Sequence, residues 1–239
     1  MKTTMSLAAA MGTLALATTA QAATIAAGDV IKLDVSDDGD GAGVKTADWN
    51  TIVAFPSSIA SGSVIRHGDG AVVDNITIAS SLPNGGGSGE VPNIATTAWT
   101  GLGSDPYYDS LSYTDFVWNA GGSQTVTFGG LDAGLNYNVR FYVLLTEGGT
   151  VDFTVTDGAG FISRTGLNRT TLFDAVPLSS NAIFEGVSAD GSGNIAVNVS
   201  STGSQSIEAV VLEAVAIPEP TTTALLGLGG LALILRRRK

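Results

Sequence analysis

The chain contains no cysteine and a single histidine in 239 residues. No disulfide framework or thiolate metal centre can form, so a body of this length must be held by its apolar core. A zinc site would have to rest on one imidazole and carboxylates, a poor donor set. Positive charge is also scarce, with 11 Lys and Arg against 22 Asp and Glu. Lys2 lies near the start and Arg236 to Lys239 close the chain, so only six cations stand among all 22 acids between them. A body this acidic repels phosphate backbones, which excludes nucleic acid as a partner. Its charge favours solubility and attracts divalent cations. Long apolar runs are missing from the interior of the sequence. The two that exist are at its ends.

At the N-terminus, MKTTMSLAAAMGTLALATTAQAA places Lys2 before an apolar run from Leu7 to Ala17. Ala20-Gln21-Ala22 follows as a small-x-small cleavage pattern. These parts in this order predict a secretory signal peptide over residues 1–22, with the mature chain starting at Ala23. At the other end, Pro218-Glu219-Pro220 predicts an extended segment, because neither proline suits a helix interior. Thr221 to Leu235 is uncharged and rich in leucine. As a helix those residues rise only ~22 Å, short of the ~30 Å hydrocarbon core of a bilayer. The expected span is therefore marginal, completed by thinning of the bilayer and by snorkelling arginines. Arg236-Arg237-Arg238-Lys239 would lie on the cytoplasmic side, which puts the acidic body outside that membrane.

Pro218, Glu219 and Pro220, the short apolar segment and the terminal Arg236, Arg237 and Arg238 together resemble the PEP-CTERM sorting tail of bacterial exported proteins. Ile217 stands where the family often has valine. The resemblance implies recognition and processing by a membrane protease-transpeptidase of the exosortase type. It also implies a host with exopolysaccharide or biofilm machinery.

Between the ends, apolar and polar residues alternate with the period of strands. Tyr137, Val139, Phe141 and Val143 fall on one face of one segment; Val151, Phe153 and Val155 do so in another, and Ile195, Val197 and Val199 in a third. In QTVTF, Val126 and Phe128 alternate with polar neighbours that include Gln124. SIEAVVLEAV supplies a last strand, and clusters such as Asp157-Gly158-Ala159-Gly160 and Asp190-Gly191-Ser192-Gly193-Asn194 mark turns. Asn84-Gly85-Gly86-Gly87-Ser88-Gly89 follows no strand and opens no helix, so it reads as a loop and not as a phosphate cradle. No sustained helical period appears. The expected fold is all-β, an antiparallel β-sandwich of jelly-roll type over residues 23–216, with the sorting tail at 217–239 forming a single hydrophobic helix. Leu131, Gly134 and Tyr137 predict a corner in which a buried tyrosine hydroxyl bonds the backbone. The order of Asp34, Asp48-Trp49-Asn50, His67-Gly68-Asp69-Gly70, Gly130-Leu131, Phe184, Gly193 and Glu213 resembles galactose-binding-like and malectin-like domains. That resemblance implies a carbohydrate-binding module as the alternative function.

Candidate site residues are few. Asp37, Asp38 and Asp40 form the densest acidic loop, and hard carboxylate oxygens in a Gly-bent loop suit calcium. Ala42 and Trp49 occupy the fifth and twelfth positions counted from Asp38, so the match to an EF-hand loop is poor, and a solvated loop is the competing reading. Tyr107 and Tyr108, flanked by Asp105 and Asp109, could stack on a glycan, or could serve as core and edge cover. Trp49 reads as an inner anchor. His67 has Ser63 and Asp69 nearby in sequence but no nucleophile motif around it. Acid pairs for glycoside hydrolysis arise by chance among 22 acids and carry no signal. The expectation is a non-enzymatic, exported surface or matrix protein with no obligatory cofactor. Its partners are an exosortase-type enzyme, the membrane that holds its C-terminal helix and, in the alternative, extracellular polysaccharide.

Overall fold

The computed structural model describes residues 24–36, 48–53, 57–81, 87–90, 107, 115–145, 149–168 and 182–217. Eleven strands are present: β1 (Val30–Ser36), β2 (Asn50–Val53), β3 (Ser57–Ile59), β4 (Thr77–Ser81), β5 (Gly87–Glu90), β6 (Asp115–Gly129), β7 (Leu135–Leu145), β8 (Val151–Asp157), β9 (Gly160–Leu167), β10 (Ile183–Ser188) and β11 (Ile195–Ala216). Among the described residues there is no α-helix, and no helix is long and apolar enough to cross a membrane. The signal segment with Ala20 and Ala22, and the tail from Pro218 onward, lie outside the described residues.

The two last segments of alternating sequence are one strand. The first part of β11 runs antiparallel to β6, from Ile195 opposite Phe128 to Ser206 opposite Trp118. Its second part runs antiparallel to β7, from Gln205 opposite Leu145 to Ala216 opposite Leu135. β6 and β7 are themselves consecutive and reverse direction at residues 130–134, so β11 must climb along one and descend along the other. It turns over where the register shifts, between Ser201 and Ser204 and between Ile207 and Ala209. Bulges of this kind bend a strand without ending it. Gln124 supports the second bulge: its side chain is fully buried and accepts a bond from the Ile207 N–H at 3.1 Å. That inward position answers a backbone donor displaced from the ladder.

β11 thereby belongs to two antiparallel-rich sheets. One runs β9-β8-β11-β6-β4-β3, with β5 on the early part of β6; the other runs β2-β1-β11-β7-β10. Phe141 of the second sheet stacks on Phe153 of the first at 4.8 Å between ring centroids, and Phe184 meets both edge-on. The alternating residues of β7, β8 and β11 named above are all buried in this core.

Two expectations are corrected. The pairing is not wholly antiparallel, because β1 and β2 run parallel with Leu33 opposite Asn50. Residues 37–49 intervene, enough chain for the crossover that a parallel pair needs. Residues 87–89 are not loop but strand, pairing with Phe116 to Trp118. Backbone pairing needs no side chains, and the long β6 offers its edge.

The tyrosine corner forms. Tyr137 is fully buried, and its hydroxyl donates to the Asp132 carbonyl at 3.0 Å. Burial pushes the phenol up to about 12 from 10.0. The neutral form is favoured in the folded state, so this contribution is complete below pH 10 and is lost as pH rises through about 12. Tyr137→Phe should lose about 1 kcal/mol at neutral pH. It should also flatten the alkaline decline in stability, which denaturant titrations at pH 9 and 11.5 would measure.

Candidate functional site

The strand β1 alternates, with Ile31, Leu33 and Val35 facing the core. Lys32 and Asp34 occupy the opposite face, where an exposed row is expected, yet they are only 4% and 0% exposed. The register extends this row across the sheet: Lys32 lies opposite Val211 and Val211 opposite Arg140, while Asp34 lies opposite Ala209 and Ala209 opposite Tyr142. Antiparallel partners share a face, so Lys32, Asp34, Arg140 and Tyr142 form one charged and aromatic patch.

Three segments roof this patch. Trp49, 6% exposed, takes the Lys32 ammonium over its ring at 4.8 Å. The half-buried Tyr107 ring receives Lys32 at 5.9 Å and the Arg140 guanidinium at 5.1 Å. His67 meets Tyr107 edge-on at 6.4 Å. Cation–π contacts shielded from water are worth about 2 kcal/mol each, against less than half that when exposed. They order the roof and keep these cations close to apolar surface.

His67 is held by Asp48 and not by Asp69. Its Nδ1 faces the Asp48 carboxylate, which also accepts the Gly68 N–H at 3.0 Å. Asp69 instead bonds Arg66 at 2.6 and 3.1 Å and the Ala71 N–H at 3.0 Å. Those bonds hold the Asp69 carboxyl down to about 2. Arg66 also reaches Asp29 at 3.0 Å, and both carboxylates raise its pKa above the ordinary guanidinium value. Asn50 clamps the same region from the core side: its amide donates to the carbonyls of Lys32 and Ile65 and accepts from the Ile65 N–H. The result fixes the 64–73 hairpin against β1. A base with its orienting acid is present in His67 and Asp48; Ser63, the nucleophile candidate by sequence, bonds the Ala60 carbonyl through its N–H as part of a turn.

Of the residues singled out in the sequence, the structure brings together Trp49, His67 and Tyr107. Tyr108, the calcium candidates Asp37, Asp38 and Asp40, and the sorting residues Pro218, Glu219, Pro220, Arg236, Arg237 and Arg238 lie outside the described residues. Among the described residues no group of three or more His, Asp or Glu could hold a metal ion. Sequence reading missed Lys32, Asp34 and Arg140, because charged residues on the off-core face of an alternating strand ordinarily meet solvent. The available signal was Trp49 and Tyr107, rings of a size that covers such a face.

No curated protein matches the chain. Among solved structures it is similar to TmCBM61, determined in complex with beta-1,4-galactotriose, at 16% identity over 43% of this chain and 75% of that one, with a TM-score of 0.26. So loose a likeness carries neither fold nor ligand to this protein. Residues 216–239 match the PEP-CTERM protein-sorting motif.

Proposed function

We propose that this protein is a non-enzymatic β-sandwich of jelly-roll type, exported through its signal segment and held at the membrane by its C-terminal segment. An exosortase-type enzyme processes it there, and the body passes to the cell surface or the extracellular matrix. The sorting motif at residues 216–239 carries this reading. A span that fits the bilayer poorly suits a segment kept only until processing. Mass spectrometry of the mature protein from its host is expected to find an N-terminus at Ala23 and a C-terminus shorter than Lys239. Molecules that all still end at Lys239 would contradict processing. Removing residues 217–239 is expected to abolish membrane retention, read as transfer of the protein from the membrane fraction to the medium.

A second reading is glycan binding at the loop of Tyr107 and Tyr108. The position of the half-buried Tyr107 ring beside the partly exposed Arg140 guanidinium favours it, because a ring edge and a hydrogen-bond donor together suit a sugar. Pull-down on polysaccharides from the host matrix should then weaken about tenfold in Tyr107→Ala, equivalent to about 1.4 kcal/mol. Absence of binding by the unmodified protein, with and without calcium, would remove the reading.

A further inference from the structure

The fold-over of β11 brings its last residues, 214–217, to the same end of the body as residues 26–29. Ala216 lies opposite Leu135, next to the turn at 130–134. The incoming chain pairs with the outgoing one, the Gly28 N–H donating to the Ala214 carbonyl at 2.7 Å and the Ala214 N–H to the Asp29 carbonyl at 2.8 Å. The same end collects the 66–70 turn through Arg66 and Asp29, and the 157–160 turn through the bond from the Gly158 N–H to the Ser188 carbonyl. The segment from Ala189 to Asn194 closes there too, with the Leu131 N–H donating to the Gly193 carbonyl.

The strand ladder holds the chain up to Ala216, and Ile217 is the first residue beyond it. Only residues 218–220 separate Ile217 from the uncharged segment that starts at Thr221. At 3.3–3.6 Å per residue the reach is about 10–14 Å. Whatever handles the tail must therefore work against the folded body.

The surface at that end is unusual in two respects. Among the described residues the exposed large hydrophobic side chains are Val72, Phe161 and Ile217, at 38%, 71% and 45%. Val72 borders the 66–71 hairpin turn and Phe161 borders the 157–160 turn, so all three are at the tail-bearing end, Val72 on its β1 side, Phe161 on its β8–β9 side and Ile217 after β11 between them. With the tail leaving between them, these side chains are apolar anchors for a partner that approaches this end. The turns there also carry Asp29, Asp69, Asp74, Asp132, Asp157 and Asp190, with Arg66 already engaged by Asp29 and Asp69. Such a surface is repelled by anionic headgroups, which disfavours the lipid itself as the occupant.

We infer that the tail-bearing end of the body, including Phe161, Val72 and Ile217, is a docking surface for the membrane enzyme that processes the tail. That enzyme's matching face would be apolar with cations at its rim. The inference rests on the processing reading above and extends recognition beyond the tail. A photoreactive side chain at position 161 of the full chain, activated in host membranes, is expected to give a protein adduct that disappears in a strain lacking the processing enzyme. An adduct to lipid only, or none, overturns the inference. Phe161→Ser combined with Val72→Ser should slow tail processing at least fivefold in pulse-chase, with the thermal midpoint unchanged. A ten-residue Gly-Ser insertion after Ile217, which leaves the body intact, should slow it similarly. Wild-type rates in the spacer variant would sink the docking surface while leaving the processing reading intact, whereas an unprocessed wild type would sink both.

Discussion

Replacing Gly130 by alanine is expected to destabilise the body by about 3–5 kcal/mol, a lowering of the thermal midpoint of roughly 10 °C or more. Gly130 has φ +74°, and a Cβ built on it would lie 1.8 Å from the Asn75 carbonyl oxygen. The left-handed backbone alone costs an L-residue about 1–2 kcal/mol. The remainder is steric and has nowhere to go, because the obstacle is backbone. Asn75 itself sits at φ 65°, and β4 starts two residues later opposite Gly129. Moving it would shift the pairing of β4 with β6. Gly158 is the control: its φ is +55°, but a Cβ there meets nothing within 4 Å. Gly158→Ala should therefore cost only the conformational part, about 1–2 kcal/mol. Equal losses in the two variants, measured by thermal unfolding, would refute the steric account.

Phe153→Ala should cost a similar 3–5 kcal/mol for a different reason. Phe153 is fully buried, stacks on Phe141 from the opposite sheet and meets Phe184 edge-on. Truncation removes its transfer free energy and leaves a void between two sheets that share β11 and cannot collapse freely. The Arg164 guanidinium lies over Phe184 at 4.2 Å, and burial lowers its pKa, so this end of the core cannot admit water without disturbing that contact. In denaturant the midpoint should fall while the slope with concentration stays constant. Phe153→Leu, which keeps most of the volume, should lose less than half as much. A Phe153→Ala midpoint within error of the wild type would mean that the trio does not hold the sheets together.

The strands of the core were legible because they alternate. Phe141, Phe153, Val155 and Val199 each follow a polar neighbour, and a period of two has one physical meaning when half the positions must be dry. Tyr137 was legible for the same reason, together with a turn sequence that leaves room for its hydroxyl bond. β9 was less visible, since most of its residues are exposed and alternation has little to act on. Lys32 and Asp34 mark the limit of the same rule: alternation tells which face a residue is on, and not whether another segment covers that face. Gln124 was set among polar neighbours, although its partner, the Ile207 N–H, is far along the chain at a bulge that no local pattern announces.

Sequence alone determined the β character of the body, its acidity, the exclusion of disulfides, and the sorting tail, because each depends on residue type and short-range order. Tertiary structure decided that the two last apolar segments are a single strand bent over between two sheets. It also decided that β2 enters parallel to β1, that Lys32 and Arg140 converge on Tyr107, and that residues 26–29 and 214–217 meet at one acidic end of the body. Those features depend on which distant backbones exchange hydrogen bonds. That choice is made by the whole core at once, and a one-dimensional pattern of polar and apolar residues is compatible with many such pairings.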